Sequence, residues 1–401
     1  MPEAETPLVV YGAPWCPDCR RSKAFLSEQR IPFTFVDLEQ HPEENATVEA
    51  YNDGKRIIPT IVFDDGSILV EPSDEELASK LGLSRDAART SYDLVIVGGG
   101  PTGLTTAIYA ARENLHTVVI ERSALGGQAG VTERLDNYPG FPDGIGGAEL
   151  ASRFVQQAER YGVELLPAVS VADISTTDGR SVVTTSTGQQ LHAAAVLVAT
   201  GSTYRRTGAA GEDDLIGAGI HFCATCDGPF YRDVDEVVVI GGGNSGFEEG
   251  LFLTQFAKHV TVVVRTQPIA SRLLQDKVEA HERMTVLTDT EVTAFVADPH
   301  GKLASITLRG ADGDESEHPA SAAFVFVGLD PNTGWLDGAL GLDARGFLVT
   351  DRMMQTSVRG VFAAGDVRAG STKQLASAVG EGAAAALQIR AHIEELRDGG
   401  S

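Results

Sequence analysis

A chain of 401 residues with 42% apolar and 22% charged side chains has room for two or three compact units and the balance of a soluble globular protein. Its formal charge of -24 excludes nucleic acid and anionic membrane surfaces as natural partners, because phosphate binding draws on clustered Lys and Arg. The start MPEAETPLVV has no basic or long apolar leader and no later run approaches the ~18 apolar residues that cross a bilayer, so a cytoplasmic protein is expected.

The apolar run from Pro7 to Tyr11 predicts a strand, followed by a helix after Cys16, a strand at Phe33 to Leu38 and a helix near Pro42 to Asn52. Short strands at Thr60 to Phe63 and Ile68 to Val70 precede a helix announced by Ser73 as cap and by Asp74, Glu75 and Glu76 in its first turn. Residues 1–83 thus read as a small β-α-β-α-β-β-α unit, and residues 84–91, SRDAARTS, as a polar linker without apolar periodicity. From Tyr92 onward, β-branched runs alternate with glycine turns and helical stretches, the pattern of parallel α/β architecture.

The plan of strand, glycine loop, helix and strand occurs twice, with loops starting at Gly98 and Gly241, which implies two dinucleotide sites. A GxGxxG pattern alone is weak evidence, but each copy follows a buried-type strand and opens a helix, the context the motif requires. Gly98 and Gly241 suit the tight turn, Gly100 and Gly243 the approach of a pyrophosphate to the backbone, and Gly103 and Gly246 the packing of helix on strand. Asn244 and Ser245 complete the second loop, and each helix N-terminus holds phosphate charge. Glu121, 23 residues after Gly98, is placed to bond adenosine ribose hydroxyls, which suits FAD or NAD. The same offset from Gly241 reaches Val264, followed by Arg265 and Thr266. With the carboxylate missing and a cation in its place, NADPH is favoured at the second site, with NADH as the alternative donor.

All four cysteines fall in two CxxC pairs about 200 residues apart, which is redox usage and not the spacing of a zinc ribbon, so no metal is assigned. Trp15-Cys16-Pro17-Asp18-Cys19 lies between a strand and a helix, so Cys16 sits at a helix N-terminus that stabilises its thiolate. Cys16 is therefore the nucleophile and Cys19 the more buried resolving thiol, with Arg20, Arg21 and Lys23 adding to the bias and Asp18 opposing it. Ile58-Pro59-Thr60 reads as a cis-proline turn that shapes a face for an incoming disulfide, or as a plain strand entry. The second pair, in His221-Phe222-Cys223-Ala224-Thr225-Cys226-Asp227-Gly228, lies between the two nucleotide sites, where it can relay electrons. Asp227 is placed to move protons for the dithiol, and His221 is a weaker candidate set against a structural role.

From Tyr92 to about Ile393 the chain resembles the low-molecular-weight thioredoxin reductases. The resemblance assigns to an FAD site GGGPTG at 98–103, Gly126-Gly127-Gln128, Asn137-Tyr138-Pro139-Gly140, Ala199-Thr200-Gly201 and Ala364-Gly365-Asp366. Lys373-Gln374 stands where these reductases have Arg-Gln. It further implies that Cys226 lies nearest the flavin, that Cys223 attacks the partner disulfide and that Asp227 is the acid/base. A pyridine-nucleotide domain, residues 207–328, is implied to be inserted between FAD-domain segments 92–206 and 329–396 and to swivel, in a homodimer. The usual His-Arg-Arg grip on the 2′-phosphate is reduced to Arg265, with Arg272 as a substitute.

Residues 7–83 resemble glutaredoxins, especially mycoredoxin-like ones, through WCPDC, Ile58-Pro59-Thr60 and Asp65-Gly66-Ser67. The Gly-Gly pair of many glutathione-binding relatives is missing after the last strand, which points to another low-molecular-weight thiol such as mycothiol. The expected fold class is α/β: a thioredoxin/glutaredoxin fold followed by two Rossmann-like dinucleotide-binding domains, the second inserted in the first. The expected path runs from NADPH to FAD, to Cys223/Cys226, to Cys16/Cys19 of the chain's own N-terminal domain. From there electrons pass to a thioredoxin/glutaredoxin-type protein or a low-molecular-weight thiol disulfide. The rival readings are the flavoprotein reductase of a peroxiredoxin, a flavin dithiol oxidase or ferredoxin-type reductase, and a non-enzymatic redox sensor.

Overall fold

The computed structural model describes residues 8–398 apart from 15, 30, 132–134, 136, 178–179 and 337, so Pro7 and Trp15 lie outside the described residues. The chain divides into two compact units, Met1–Thr203 with Asp330–Ser401, and Tyr204–Leu329. The first unit opens with a lobe built from β1 (Leu8–Gly12), α1 (Pro17–Glu28), β2 (Phe33–Asp37), α2 (Asn45–Tyr51), β3 (Thr60–Val62), β4 (Ile68–Val70) and α3 (Asp74–Lys80). Its sheet runs β2-β1-β3-β4, with β1 parallel to β2 and antiparallel to β3. Val10, Phe25, Leu26, Ile61 and Leu77 are fully buried between sheet and helices. Ser73 starts α3 through a capping box with Glu76, and the Ile58–Pro59 peptide is cis.

The same unit continues through β5 (Ser91–Val97), α4 (Pro101–Arg112), β6 (Thr117–Ile120), α5 (Gly127–Val131), α6 (Gly147–Arg160), β7 (Glu164–Leu166), β8 (Val171–Thr177), β9 (Arg180–Thr185) and β10 (Gln190–Val198). These strands form one sheet in the order β7-β6-β5-β10-β9-β8, and Val361–Ala363 joins it parallel to β10. Strand alternation divides the interior into two cores. Val95, Val97, Val118, Ile120, Val196 and Val198 fill one face, and Leu94, Ile96, Val119 and Leu197 fill the other with Leu104 and Ile108 of α4. Each such side chain contributes about 1.5–3 kcal/mol on burial, which is why these strands read as continuous apolar runs. The helix Leu375–Asp398 crosses α4 closely, for a Cβ on Gly382 would meet the Thr102 carbonyl oxygen at 2.5 Å.

Residues 84–91 form a strap along this unit. Ala87 exchanges hydrogen bonds with the Gln189 side chain, donating at 2.7 Å and accepting at 2.9 Å. Ala88 N donates to Glu164 Oε1 at 2.6 Å, Thr187 Oγ1 donates to Asp86 Oδ1 at 2.7 Å, and Arg85 Nε donates to the Ala168 carbonyl at 3.2 Å. The lobe's apolar core also continues onto the large sheet, since Ala168 and Ala124 pack with Leu77 and Ala78.

The second unit holds a five-stranded parallel sheet in the order Ile220–His221, Ala322–Val325, Glu236–Ile240, His259–Val263 and Met284–Leu287. Beside it lies an antiparallel sheet of Glu291–Ala297, Leu303–Arg309 and Glu315–Pro319. The architecture is therefore the α/β class expected, with a small N-terminal fold and two glycine-loop sheets. Among the described residues no helix is long and apolar enough to cross a membrane.

Candidate active site

Both glycine loops have the same construction. Gly98 and Gly241 turn at φ of +113° and +139°, and a Cβ on either would overlap the carbonyl oxygen of Ala199 or Phe326. A Cβ on Gly103 or Gly246 would overlap the carbonyl of Gly98 or Gly241, so these two let the helix close on the strand. Gly100 and Gly243 differ in kind, because a Cβ there meets nothing within 4 Å. They cap α4 and the helix Asn244–Leu253 without any side-chain hydrogen bond, leaving first-turn N–H groups facing open space. That is a cradle for a pyrophosphate, and the residues present fit a dinucleotide at each loop.

Around the first loop the scattered motifs of the sequence come together. Gly126 N donates to Gly99 O at 2.8 Å, and a Cβ on Gly127 would stand 3.1 Å from Gly100 Cα. Gln128 Nε2 donates to Ser202 O at 3.1 Å. Thr200 Oγ1 donates to Asn332 O at 2.9 Å, and Asn332 returns bonds to the Thr200 and Gly201 carbonyls at 2.8 and 3.0 Å. Gly365 packs against the Thr102 hydroxyl, and its N–H donates to Glu381 Oε2 at 2.8 Å. Arg368 fixes that glutamate, Nη2 to Oε1 at 2.7 Å. Burial pushes the Asp366 carboxyl up, against the attraction of Lys373. Lys373 Nζ donates to the Asp366 and Arg368 carbonyls and lies 4.1 Å over the Phe347 ring, and burial lowers its ammonium pKa. Asn137 Nδ2 donates to Gln374 Oε1 at 3.2 Å.

Glu121 stands at the end of β6, but its carboxylate first fastens the loop. Oε2 accepts from Gly99 N at 2.7 Å, and Oε1 accepts from Ser123 N and Oγ at 3.0 and 3.2 Å. One lone pair of Oε2 is left for a ribose hydroxyl.

At the second loop Val264 is buried under Gly242, and Asn244 Oδ1 accepts from Ser271 N at 2.7 Å. Ile269 N and Ala270 N donate to Gly242 O at 2.8 and 3.0 Å, so the segment after the second strand is pinned against the loop. Ser245 is exposed in the first helical turn. Arg265 is exposed and makes no ion pair among the described residues. Arg272 is engaged elsewhere, with Asp276 at 2.8 Å and Glu279 at 3.8 Å, which leaves Arg265 as the cation at the strand end.

Cys16 caps α1, and its Sγ accepts from Cys19 N at 3.2 Å. Cys16 is 5% exposed and Cys19 wholly buried, both as free thiols. The Cys19 thiol donates to the Cys16 sulfur and, with the backbone N–H groups of Cys19 and Asp18, holds Cys16 down to about 7 against burial and the Asp18 charge. The same bond and burial push the Cys19 thiol up. Of the following cations, Arg21 and Lys23 are engaged elsewhere. Arg21 pairs with Asp18 at 3.0 Å and Asp74 at 3.2 Å, and Lys23 Nζ sits 3.8 Å over the Phe35 ring. The Cys16 thiol points at the Ile58 carbonyl 3.9 Å away, beside the cis proline. Gly12 at the end of β1 packs against Cys19, for a Cβ there would lie 2.6 Å from the Cys19 sulfur.

Cys223 and Cys226 are joined in a disulfide at the start of the helix Ala224–Asp227. Cys223 Sγ accepts from Cys226 N at 3.2 Å and lies 3.3 Å from Thr225 Oγ1. Asp227 Oδ2 is 3.5 Å from His221 Nδ1, and His221 Nε2 is 2.6 Å from the Tyr231 hydroxyl. Tyr231, Asn332, Arg368 and Glu381 were not legible as site residues. Each acts through a partner that the fold supplies from 10 to 132 positions away, and no local spacing reports such pairs.

Residues 92–382 match the family described as pyridine nucleotide-disulphide oxidoreductase, and residues 8–68 match the glutaredoxin family. The thioredoxin reductase of Listeria monocytogenes is 39% identical over 312 residues, covering 77% of this chain and 95% of that protein. The thioredoxin reductase of Bacillus subtilis is 37% identical over 311 residues, covering 77% and 96%. Among solved structures, thioredoxin reductase from Streptococcus pyogenes is similar at a TM-score of 0.72 and 37% identity, covering 77% of this chain and 100% of that one. The Giardia duodenalis enzyme gives 0.71 and 33%, covering 76% and 100%.

Proposed function

We propose, because this chain belongs to the thioredoxin reductases of the pyridine nucleotide-disulphide oxidoreductase family, that its two cysteine pairs form one electron relay. The chain is an FAD-dependent disulfide oxidoreductase with a glutaredoxin domain fused ahead of it. The proposed path runs from NADPH to FAD, to Cys223/Cys226, to Cys16/Cys19, and on to a protein or low-molecular-weight thiol disulfide. A homodimer in the cytoplasm completes the reading. The observation that carries it is the common cap, the first sulfur of each pair accepting the N–H of the second at 3.2 Å.

When bound, FAD supplies the two-electron carrier between the nicotinamide and the Cys223–Cys226 disulfide. The Gly98–Gly103 cradle, with Gln128, Asn137, Thr200, Asp366 and Lys373 around it, would hold FAD, and the Gly241–Gly246 cradle with Arg265 would hold NADPH. In the reduced pair Cys223 attacks a sulfur of the Cys16–Cys19 disulfide, forming a mixed disulfide and releasing the other sulfur, which Asp227 protonates. Cys226 then attacks Cys223, closing their disulfide and leaving both glutaredoxin thiols reduced. Cys16, held near pH 7 as thiolate, repeats the exchange on the external disulfide.

Cys223→Ser is expected to block NADPH-driven reduction of Cys16–Cys19, while Cys16→Ser leaves dye turnover at the flavin intact. Full reduction of the N-terminal disulfide by the Cys223→Ser protein overturns the relay. Anaerobic rapid mixing with NADPH or NADH, read as flavin bleaching, identifies the donor.

A further inference from the structure

His221 ends the strand Ile220–His221 two residues before Cys223, and each of its ring nitrogens faces an oxygen. Nδ1 lies 3.5 Å from Asp227 Oδ2, and Nε2 lies 2.6 Å from the Tyr231 hydroxyl. Tyr231 meets the ring edge-on at 5.3 Å and 62°, and Phe324 of the strand Ala322–Val325 lies 5.3 Å away at 32°. The side chains of His221 and Asp227 are 11% and 20% exposed, so little water competes for their contact. A histidine kept for packing needs one polar partner; this one joins the acid beside the dithiol to a phenol on the next turn. With the Tyr231 hydroxyl as donor to Nε2, the neutral ring carries its proton on Nδ1, towards Asp227.

We propose that His221 is a positioning residue for dithiol exchange, fixing the Asp227 carboxyl and setting the pH at which it releases its proton. This rests on the reading of Asp227 as the acid/base. Cys223 thiolate attacks the partner disulfide, the partner S–S bond breaks as the mixed disulfide forms, and the leaving sulfur takes the Asp227 proton. Asp227 then removes the Cys226 proton, Cys226 thiolate attacks the Cys223 sulfur, and the second leaving sulfur receives that proton. Two electrons and two protons pass to the partner, and Asp227 ends as carboxylate. The carboxylate is the form that an N–H on Nδ1 stabilises. Among the described residues Asp227 and Tyr231 are the titratable groups in contact with the ring, and the strand Ala322–Val325 presents the uncharged Phe324.

The test uses the two-electron-reduced holoenzyme carrying Cys16→Ser, mixed rapidly with dithiobis-nitrobenzoate across the pH range, with thiol release followed by absorbance. His221→Phe is expected to lower the saturating rate about tenfold with half-saturation unchanged, and to move the alkaline midpoint up by about one pH unit. His221→Asn keeps an N–H near the Nδ1 position and is expected to restore rate and midpoint to within about twofold of the parent. Tyr231→Phe leaves the histidine in place and is expected to shift the midpoint in the same direction by a smaller step. An unmoved midpoint in His221→Phe and Tyr231→Phe overturns the proposal, as does an Asn variant no nearer the parent than the Phe variant. Asp227→Asn separates the two levels. A full rate there removes the acid/base reading itself, whereas a lost rate with His221→Phe unshifted removes only the role of His221.

Discussion

Cys16 caps a helix of 12 residues in the glutaredoxin domain, and Cys223 caps one of 4 residues in the unit Tyr204–Leu329, yet each sulfur accepts the same N–H at the same 3.2 Å. The long helix brings a developed dipole to Cys16, and the Cys19 thiol, sealed beneath Gly12, lowers its pKa further. The short helix brings little dipole; beyond the Cys226 N–H, Cys223 Sγ lies near the Thr225 hydroxyl, and the Asp227 carboxyl faces His221, which in turn meets Tyr231. One local cap thus serves two chemistries. The first site lowers the Cys16 thiol through backbone and packing, and at the second the proposed acid/base Asp227 is held in a chain of side chains.

Four measurements press on that contrast. The largest effect is expected from Gly12→Val, whose added atoms would meet the Cys19 sulfur at 2.6 Å and Phe35 at 3.2 Å. The glutaredoxin domain should lose about 2–3 kcal/mol in a denaturation experiment, and Cys16-dependent reduction should fall more than about tenfold, with dye turnover unchanged. Normal Cys16 function in this variant would show that packing does not support the first site.

Next in size is Asp74, 2% exposed, whose carboxyl burial pushes up to about 6 despite Arg21 beside it. Because the folded protein binds this proton more tightly than the unfolded chain, stability from this group is present at low pH and is lost as pH rises through about 6. Asp74→Asn should flatten that slope and leave the protein about 1–2 kcal/mol more stable at neutral pH, measured as Tm against pH. A steeper slope in the variant would mean that the fold favours the carboxylate and not the acid.

Cys19→Ala removes the bond that does most to lower Cys16, so Cys16 should return towards the ordinary thiol range. Alkylation of Cys16 by iodoacetamide at pH 7, read by mass spectrometry, is expected to slow about tenfold. Arg265→Ala should have the smallest effect, raising KM for NADPH about fivefold more than for NADH, since an exposed cation contributes little.

The glycine loops were readable because their requirement is local: a tight turn, an open cap and a close helix fall at fixed offsets, from Gly98 to Gly103 and from Gly241 to Gly246. The same holds for Ser73 and for Cys16 as helix caps. Glu121 was found at the right place with an incomplete part, because its bonds to Gly99 and Ser123 depend on how the loop folds back. The basic residues after Cys19 misled for the opposite reason. Sequence proximity put Arg21 beside a thiolate, whereas the fold offered it Asp74, 53 positions on. The contacts of His221 were not readable because its partners lie six and ten residues ahead and become neighbours only after a helical turn and a 3₁₀ turn.

Residues 84–91 read as polar and featureless because Glu164, Ala168, Thr187 and Gln189, which hold them, lie 76 to 102 positions further on, and Glu75, which pairs with Arg85, lies in the preceding lobe. A free tether of that length would let the glutaredoxin domain explore a sphere of roughly 15 Å, and each encounter would have to find its orientation anew. A strap bonded along its course loses that freedom once, on folding, and not at every turnover. For the proposed relay, glycines inserted at Ala87 would return that freedom to the glutaredoxin domain before they added reach.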